Sequence, residues 1–325
     1  MDIVEAAEKK ALEGEVLSRE EIIKLLGIPL GSDEDKKLRL SADKVAKLKC
    51  DKKGYIWSAV GADYAPCAMN CKFCSFGEKW KIVKKPVHYS DEKIIEKAKD
   101  FVQKGAKYIV LRTTEFYSIP KLIELVKKIK KQIPGSYEVI FNTGEFDMTI
   151  ANLMAESGVD GIYHACRLKE GIDTPFDPWD RVNTMKNVSR SGLKLISLVE
   201  PIGLEHTNEE IADNFLNIVK IGAKISGAMA RIPVPGTPLG NEPLLDESRL
   251  AQIIAVLRLS GGNNIEDICV HPASLEALKS GANLMVVETG AIPRDANYED
   301  DNWHGVDMQM ANDLLTEAGY IVSLD

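Results

Sequence analysis

The chain lacks any apolar run long enough to span a bilayer, and its first residues, Met1-Asp2-Ile3-Val4-Glu5, are charged where a secretory signal would be apolar. Both features lead us to expect a cytoplasmic protein with no membrane partner. An excess of positive charge is missing too: 49 Asp and Glu against 41 Lys and Arg leave a net charge of −8, which argues against duplex nucleic acid as a partner. There is no internal repeat and no low-complexity linker, so 325 residues with 45% hydrophobic content are expected to form one barrel-sized core with a short extension. Cysteine is scarce, and three of the six sit together, which suits a reduced compartment and a metal site better than a disulfide framework.

Those three are Cys67, Cys71 and Cys74, in the run Cys-Ala-Met-Asn-Cys-Lys-Phe-Cys. A cuboidal [4Fe–4S] cluster has four irons, so three thiolates leave one iron open to another ligand. A structural zinc ion would need a closed set of four. The nearest further thiol, Cys50, lies upstream across an expected strand, so zinc is the weaker reading.

Along the chain, the first fifty residues read as helical, with Ser18 and Glu21 at capping-box spacing and Ser32 opening a second segment. They are expected to form a helical cap, residues 1–50, packed on one end of the domain. From residue 51 to 325, short β-branched runs alternate with amphipathic stretches. The strands read as Tyr55–Val60, Tyr108–Leu111, Glu138–Phe141, Gly161–Ala165, Lys194–Val199, Ala228–Ile232, Asp267–His271 and Leu284–Val287. Helices fall near 91–104, 119–132, 147–157, 178–191, 207–221, 246–259, 274–280 and 307–318. Eight such pairs predict an α/β fold, a (βα)8 TIM-type barrel whose functional groups gather where strands end, and the cysteine loop follows the first strand as that requires.

The cysteine spacing, with Phe73 just before the last thiol, resembles the signature of the radical S-adenosylmethionine (SAM) superfamily. The resemblance implies a [4Fe–4S] cluster whose open iron is chelated by the methionine part of SAM, and reductive cleavage of SAM to a 5′-deoxyadenosyl radical that abstracts hydrogen from a small-molecule substrate. It also implies an electron donor such as ferredoxin or flavodoxin. Further segments, over most of the chain, resemble the branch that contains biotin synthase, the HydE-type [FeFe]-hydrogenase maturase and methylornithine synthase. By that resemblance, Glu115 in Thr113-Thr114-Glu115 meets the SAM ammonium. Arg181 in Trp179-Asp180-Arg181-Val182 pairs with the SAM carboxylate. Gly203 in the turn after the fifth strand approaches the adenosine, and Ile232 and Val234 in Ile232-Pro-Val-Pro-Gly-Thr-Pro-Leu239 wall it.

The chain departs from biotin synthase where that family holds a second, sacrificial cluster. Ile196 stands at one cysteine position, the third strand has no thiol, and Ser274 falls near the arginine position. Biotin synthesis is therefore not expected. Two thiols remain near strand ends, Cys166 and Cys269, with His164 and His271 close by; Cys166 is the candidate for a catalytic thiol, while Cys269 reads as a small buried hydrophobe. Arg112, Arg167 and Arg231 also sit near strand ends and would suit an anionic substrate if they converge. The run Asn70-Cys-Lys-Phe-Cys-Ser-Phe-Gly77, the following Trp80 and the missing auxiliary cysteines resemble the HmdB type, associated with synthesis of the iron-guanylylpyridinol cofactor of [Fe]-hydrogenase. Lipoyl synthase-like sulfur insertion, a methylornithine synthase-like mutase and a non-enzymatic cluster carrier are the alternatives.

Overall fold

A computed structural model describes residues 2–294 and 305–322; Met1 and the last residues of the expected 51–325 domain lie outside the described part. Eight parallel strands close into a barrel: β1 Lys53–Gly61, β2 Tyr108–Arg112, β3 Glu138–Asn142, β4 Gly161–Tyr163, β5 Lys194–Ile196, β6 Ile225–Ala230, β7 Asp267–His271 and β8 Leu284–Gly290. Closure is complete because β8 pairs with both β7 and β1, from Cys269 beside Leu284 to Gly61 beside Gly290. The helices are α1 Ile3–Glu13, α2 Arg19–Leu26, α3 Asp33–Lys49, α4 Asp91–Gln103, α5 Ile119–Gln132, α6 Met148–Glu156, α7 Pro178–Arg190, α8 Asn208–Ile221, α9 Glu247–Ser260, α10 Leu275–Leu278 and α11 Met308–Glu317. None among the described residues is long and apolar enough to cross a membrane.

Strand alternation decides which residues fill the barrel. Trp57, Tyr108, Val110, Ile140, Tyr163, Ile196, Leu198, Ile225, Cys269 and Leu284 pack on one another in its interior, while Ile56, Ile109, Phe141 and Val270 face the helices. The interior side chains close the lower barrel, so space remains only towards the strands' C-terminal ends.

The three N-terminal helices lie along the flank formed by α8 and α9, where the sequence suggested a cap on one end. The reason is α9: every residue from Leu250 to Ser260 is buried, so this helix is covered on its outer side as well as by the barrel. The Ser18–Glu21 capping box forms as its spacing indicated. α1 has a capping box of its own, Asp2 with Glu5.

The fourth strand ends early, at Tyr163, and the eighth runs on to Gly290, but the fifth and sixth depart most from the sequence reading. The fifth breaks after Ile196 and resumes as Val199–Ile202, paired to β6 across an irregular register. The sixth starts at Ile225 and ends at Ala230, which places Arg231 and Ile232 in the loop. Ser226 and Gly227 have little β propensity, and Gly227 is there because a Cβ would lie 1.9 Å from the Cys269 carbonyl oxygen, at φ +148°.

Candidate active site

The cysteine loop leaves β1 and is fastened on three sides. Lys72 N–H donates to the Asp173 carbonyl (2.9 Å), Leu239 N–H to the Lys72 carbonyl (3.1 Å), and Ser75 N–H to the Pro293 carbonyl (2.8 Å), so the loops after β4, β6 and β8 each hold it. Asn70 takes the left-handed conformation, at φ +49°, that turns the chain between the first two cysteines. The three thiols are half-buried, and burial pushes Cys71 up to about 12 and Cys74 up to about 11. Thiols held this way do not ionise on their own, but a cationic cluster makes them ligands. Backbone N–H groups oppose that rise, those of Met69 and Glu115 at Cys67 and that of Phe76 at Cys74. Such donors stabilise thiolates on a cluster.

Among the described residues, no three His, Cys, Asp or Glu side chains are close enough to share one metal ion. Cys50 does not supply a fourth ligand. It ends α3, with its sulfur 3.6 Å from the Glu266 carbonyl at the opposite end of the barrel.

Beside the loop lies a pair of opposite charges. Glu115 follows β2, and its Oε2 is 3.9 Å from Arg181 Nη1, which projects from the first turn of α7. An amino-acid head carries ammonium and carboxylate one carbon apart, so it needs an acid and a guanidinium this close together. Glu115 and Arg181 line the same cavity as Cys67, Cys71 and Cys74.

Glu145, which sequence reading did not single out, holds Arg181 at 2.7 Å and also binds the Thr184 hydroxyl and the His164 ring. Burial opposes ionisation of Glu145, yet His164 and Arg181 hold its carboxyl down to about 2. The guanidinium stacks 3.7 Å from the Phe176 ring centre, and its Nε makes no hydrogen bond, lying 3.7 Å from the buried Glu170 carboxylate. The turn before Glu115 contains Thr113 and Thr114 and no glycine. Buried Asp63 fixes it instead, accepting from the Thr114 N–H (2.8 Å) and the Thr114 hydroxyl, and neither threonine needs a positive φ.

The cavity above the barrel floor is lined by Cys67, Cys71, Phe73, Cys74, Glu115, Arg181 and Ile232, so seven of the ten expected site residues converge. Three do not. Val234 is buried under the loop after β6, where Gly240 packs against its carbonyl. Gly203 lies beneath an ion pair of Arg231 and Glu205, where a Cβ would sit 2.5 Å from the guanidinium, so it makes room for that pair. Cys166 points at the Pro178 carbonyl, 3.9 Å away, and packs on the helical core, outside the cavity; burial pushes its thiol up to about 11. Cys269 is the thiol that lines the cavity, at its floor.

The three expected arginines do line the cavity, but each has its own carboxylate: Arg112 meets Glu288, Arg167 meets Glu200 (3.2 Å), and Arg231 meets Glu205. Their charge is largely spent within the protein. Arg294 adds a second partner to Glu288, and despite burial the two guanidiniums hold that carboxyl well below the usual range. His271, buried beside them, has neither ring nitrogen hydrogen-bonded. Ser274, by contrast, caps α10 and binds Glu247, so the seventh-strand side chains that face the cavity are Cys269 and His271.

A closed parallel barrel with three thiols at its C-terminal mouth and an amino-acid-binding pair beside them defines an enzyme of the cluster-dependent barrel class. The chain carries a Radical SAM domain over residues 65–224, and members of the Radical SAM superfamily use a [4Fe–4S] cluster and SAM. It is 26% identical to a biotin synthase of Acetivibrio thermocellus, over 88% of this chain and 92% of that one. It is 29% identical to a biotin synthase of a Hydrogenobaculum species, over 74% and 75%. The fold is that of methylornithine synthase, with TM-score 0.81 at 18% identity over 98% of this chain and 97% of that one. HydG, a maturase of the [FeFe]-hydrogenase, has the same barrel, with TM-score 0.83 at 14% identity over 99% of this chain and 76% of that one.

Proposed function

We propose that this radical SAM enzyme abstracts hydrogen from a small substrate in cofactor biosynthesis, as the HmdB type does for the iron-guanylylpyridinol cofactor, without inserting sulfur. The observation that carries the first half is the Glu115–Arg181 pair lining the same cavity as the three thiols. With cluster and SAM bound, the chemistry available is one-electron cleavage of SAM to methionine and a 5′-deoxyadenosyl radical that takes a hydrogen atom from the substrate.

The chain's own residues do the rest. Cys67, Cys71 and Cys74 hold the cluster, Arg181 takes the carboxylate of SAM and Glu115 its ammonium. Phe73 and Ile232 wall the cofactor. Trp57 and Tyr163, packed edge to face at 5.3 Å, close the floor against water beneath the substrate. Support for the second half comes from the inner strands. Apart from the three ligands, Cys269 is the one thiol among the described lining residues, and Ile140, Ile196 and Leu198 occupy inward positions where a sulfur-donating cluster would need ligands.

The test is anaerobic turnover of the reconstituted protein with SAM and dithionite. We expect 5′-deoxyadenosine, formed faster when a pyridinol precursor is added and not when the unsulfurated biotin precursor is. Turnover of a free amino acid instead would move the reading to mutase chemistry. Absence of any SAM cleavage would leave a cluster carrier.

A further inference from the structure

In a protein of net charge −8, the stretch from Lys79 to Lys85 carries four lysines, Lys79, Lys81, Lys84 and Lys85, and no acid. All four are exposed, and none of them meets a carboxylate among the described residues. Exposed lysines elsewhere commonly do, as in Lys104 with Asp100, Lys127 with Glu124 and Lys128 with Asp91. The stretch is fastened to the cysteine loop. Glu78 N–H donates to the Cys67 carbonyl (3.1 Å), and Lys79 N–H donates to Asn70 Oδ1 (2.9 Å), between the first and second cysteines. Its apolar side lies on the proline-rich turn after β6, with Ile82 against Gly236 and with Pro235 and Pro238 exposed next to it.

We propose that this lysine ridge is the docking surface for an acidic one-electron carrier protein. The proposal rests on the radical SAM reading, since only a redox centre in the cysteine loop needs an electron there. The cavity face of that loop is the SAM side, so the carrier approaches from the outer face, where the ridge lies one hydrogen bond from the residues that hold the cluster. Charge complementarity selects the partner. The molecule as a whole repels an acidic protein, so a local basic surface decides both whether and in which orientation such a carrier arrives. A small apolar centre with a charged rim is the make-up of a transient contact that must release after each electron.

The test uses the reconstituted full chain and an acidic ferredoxin as probe. A variant with Lys79, Lys81, Lys84 and Lys85 all changed to Glu is compared with one in which Lys52, Lys131, Lys220 and Lys224, exposed residues at the far end of the barrel, are changed in the same way. Binding of labelled ferredoxin at low ionic strength is expected to weaken about tenfold or more in the first variant and to change little in the second. Ferredoxin-driven 5′-deoxyadenosine formation should fall with it, while dithionite-driven formation stays at the native rate. Equal ferredoxin binding in the native chain and the first variant overturns the proposal, as does equal weakening in both variants, which would make net charge the cause. If dithionite yields no cleavage in the native chain, it is the radical SAM reading that has failed, and the binding measurement still decides the ridge.

Discussion

Arg181 is buried, holds Glu115 and Glu145 through Nη1, and keeps its Nε without a hydrogen bond, 3.7 Å from Glu170. In the proposed role the guanidinium takes the SAM carboxylate, so removing the side chain costs a charge-assisted contact. Arg181→Ala should weaken SAM binding about tenfold or more while the cluster's visible absorbance persists; unchanged affinity would take the residue out of the site. His271 carries a pH signature. Burial, with Arg294 second, holds its imidazole down to about 3 from 6.5, so the unfolded chain binds a proton that the folded chain refuses. Its contribution to stability is therefore complete above about pH 6.5 and is lost as pH falls from there towards 3. His164 and His206 are lowered too, so the native melting temperature should drop on acidification, and His271→Gln should drop less between about pH 6.5 and 5. Identical slopes would mean that the ring is protonated in the fold.

At the scale of elements, legibility followed sequence distance. The cysteine loop could be read because its three thiols are consecutive in the chain, and the Ser18 cap because its partner is three residues away. Glu145 and Asp63 were invisible: each acts on a residue 36 or 51 positions away, and a lone acid in a loop has no periodicity to betray it. The limits of the fifth and sixth strands were misread for a related reason. Small residues such as Gly227 are tolerated in β6 because of what the neighbouring strand presents, which local propensity does not contain. That contact is testable. Gly227→Ala puts a methyl into the Cys269 carbonyl at a backbone angle that L-residues avoid, and should lower stability by about 3 kcal/mol, read from the urea midpoint. A shift no larger than that of an ordinary surface substitution would show that β6 and β7 are not this close.

For the whole molecule, eightfold alternation made the barrel readable from sequence, but the contents of its interior decide how many clusters it can carry. The floor is closed by Trp57, Tyr163, Ile140, Ile196 and Leu198, and only Cys269 offers a thiol there. A second cluster would need several thiolates converging on that floor, and its cost would be the loss of packed aromatic and aliphatic side chains. Iron content therefore distinguishes one cluster from two. Anaerobic reconstitution should give about four irons and four sulfides per chain. Cys71→Ala should abolish them, whereas Cys269→Ser and Cys166→Ser should leave the count unchanged, because neither sulfur is a ligand. Eight irons in a homogeneous native sample, or loss of iron from Cys269→Ser, would place a second cluster in the barrel and restore sulfur insertion as the reaction.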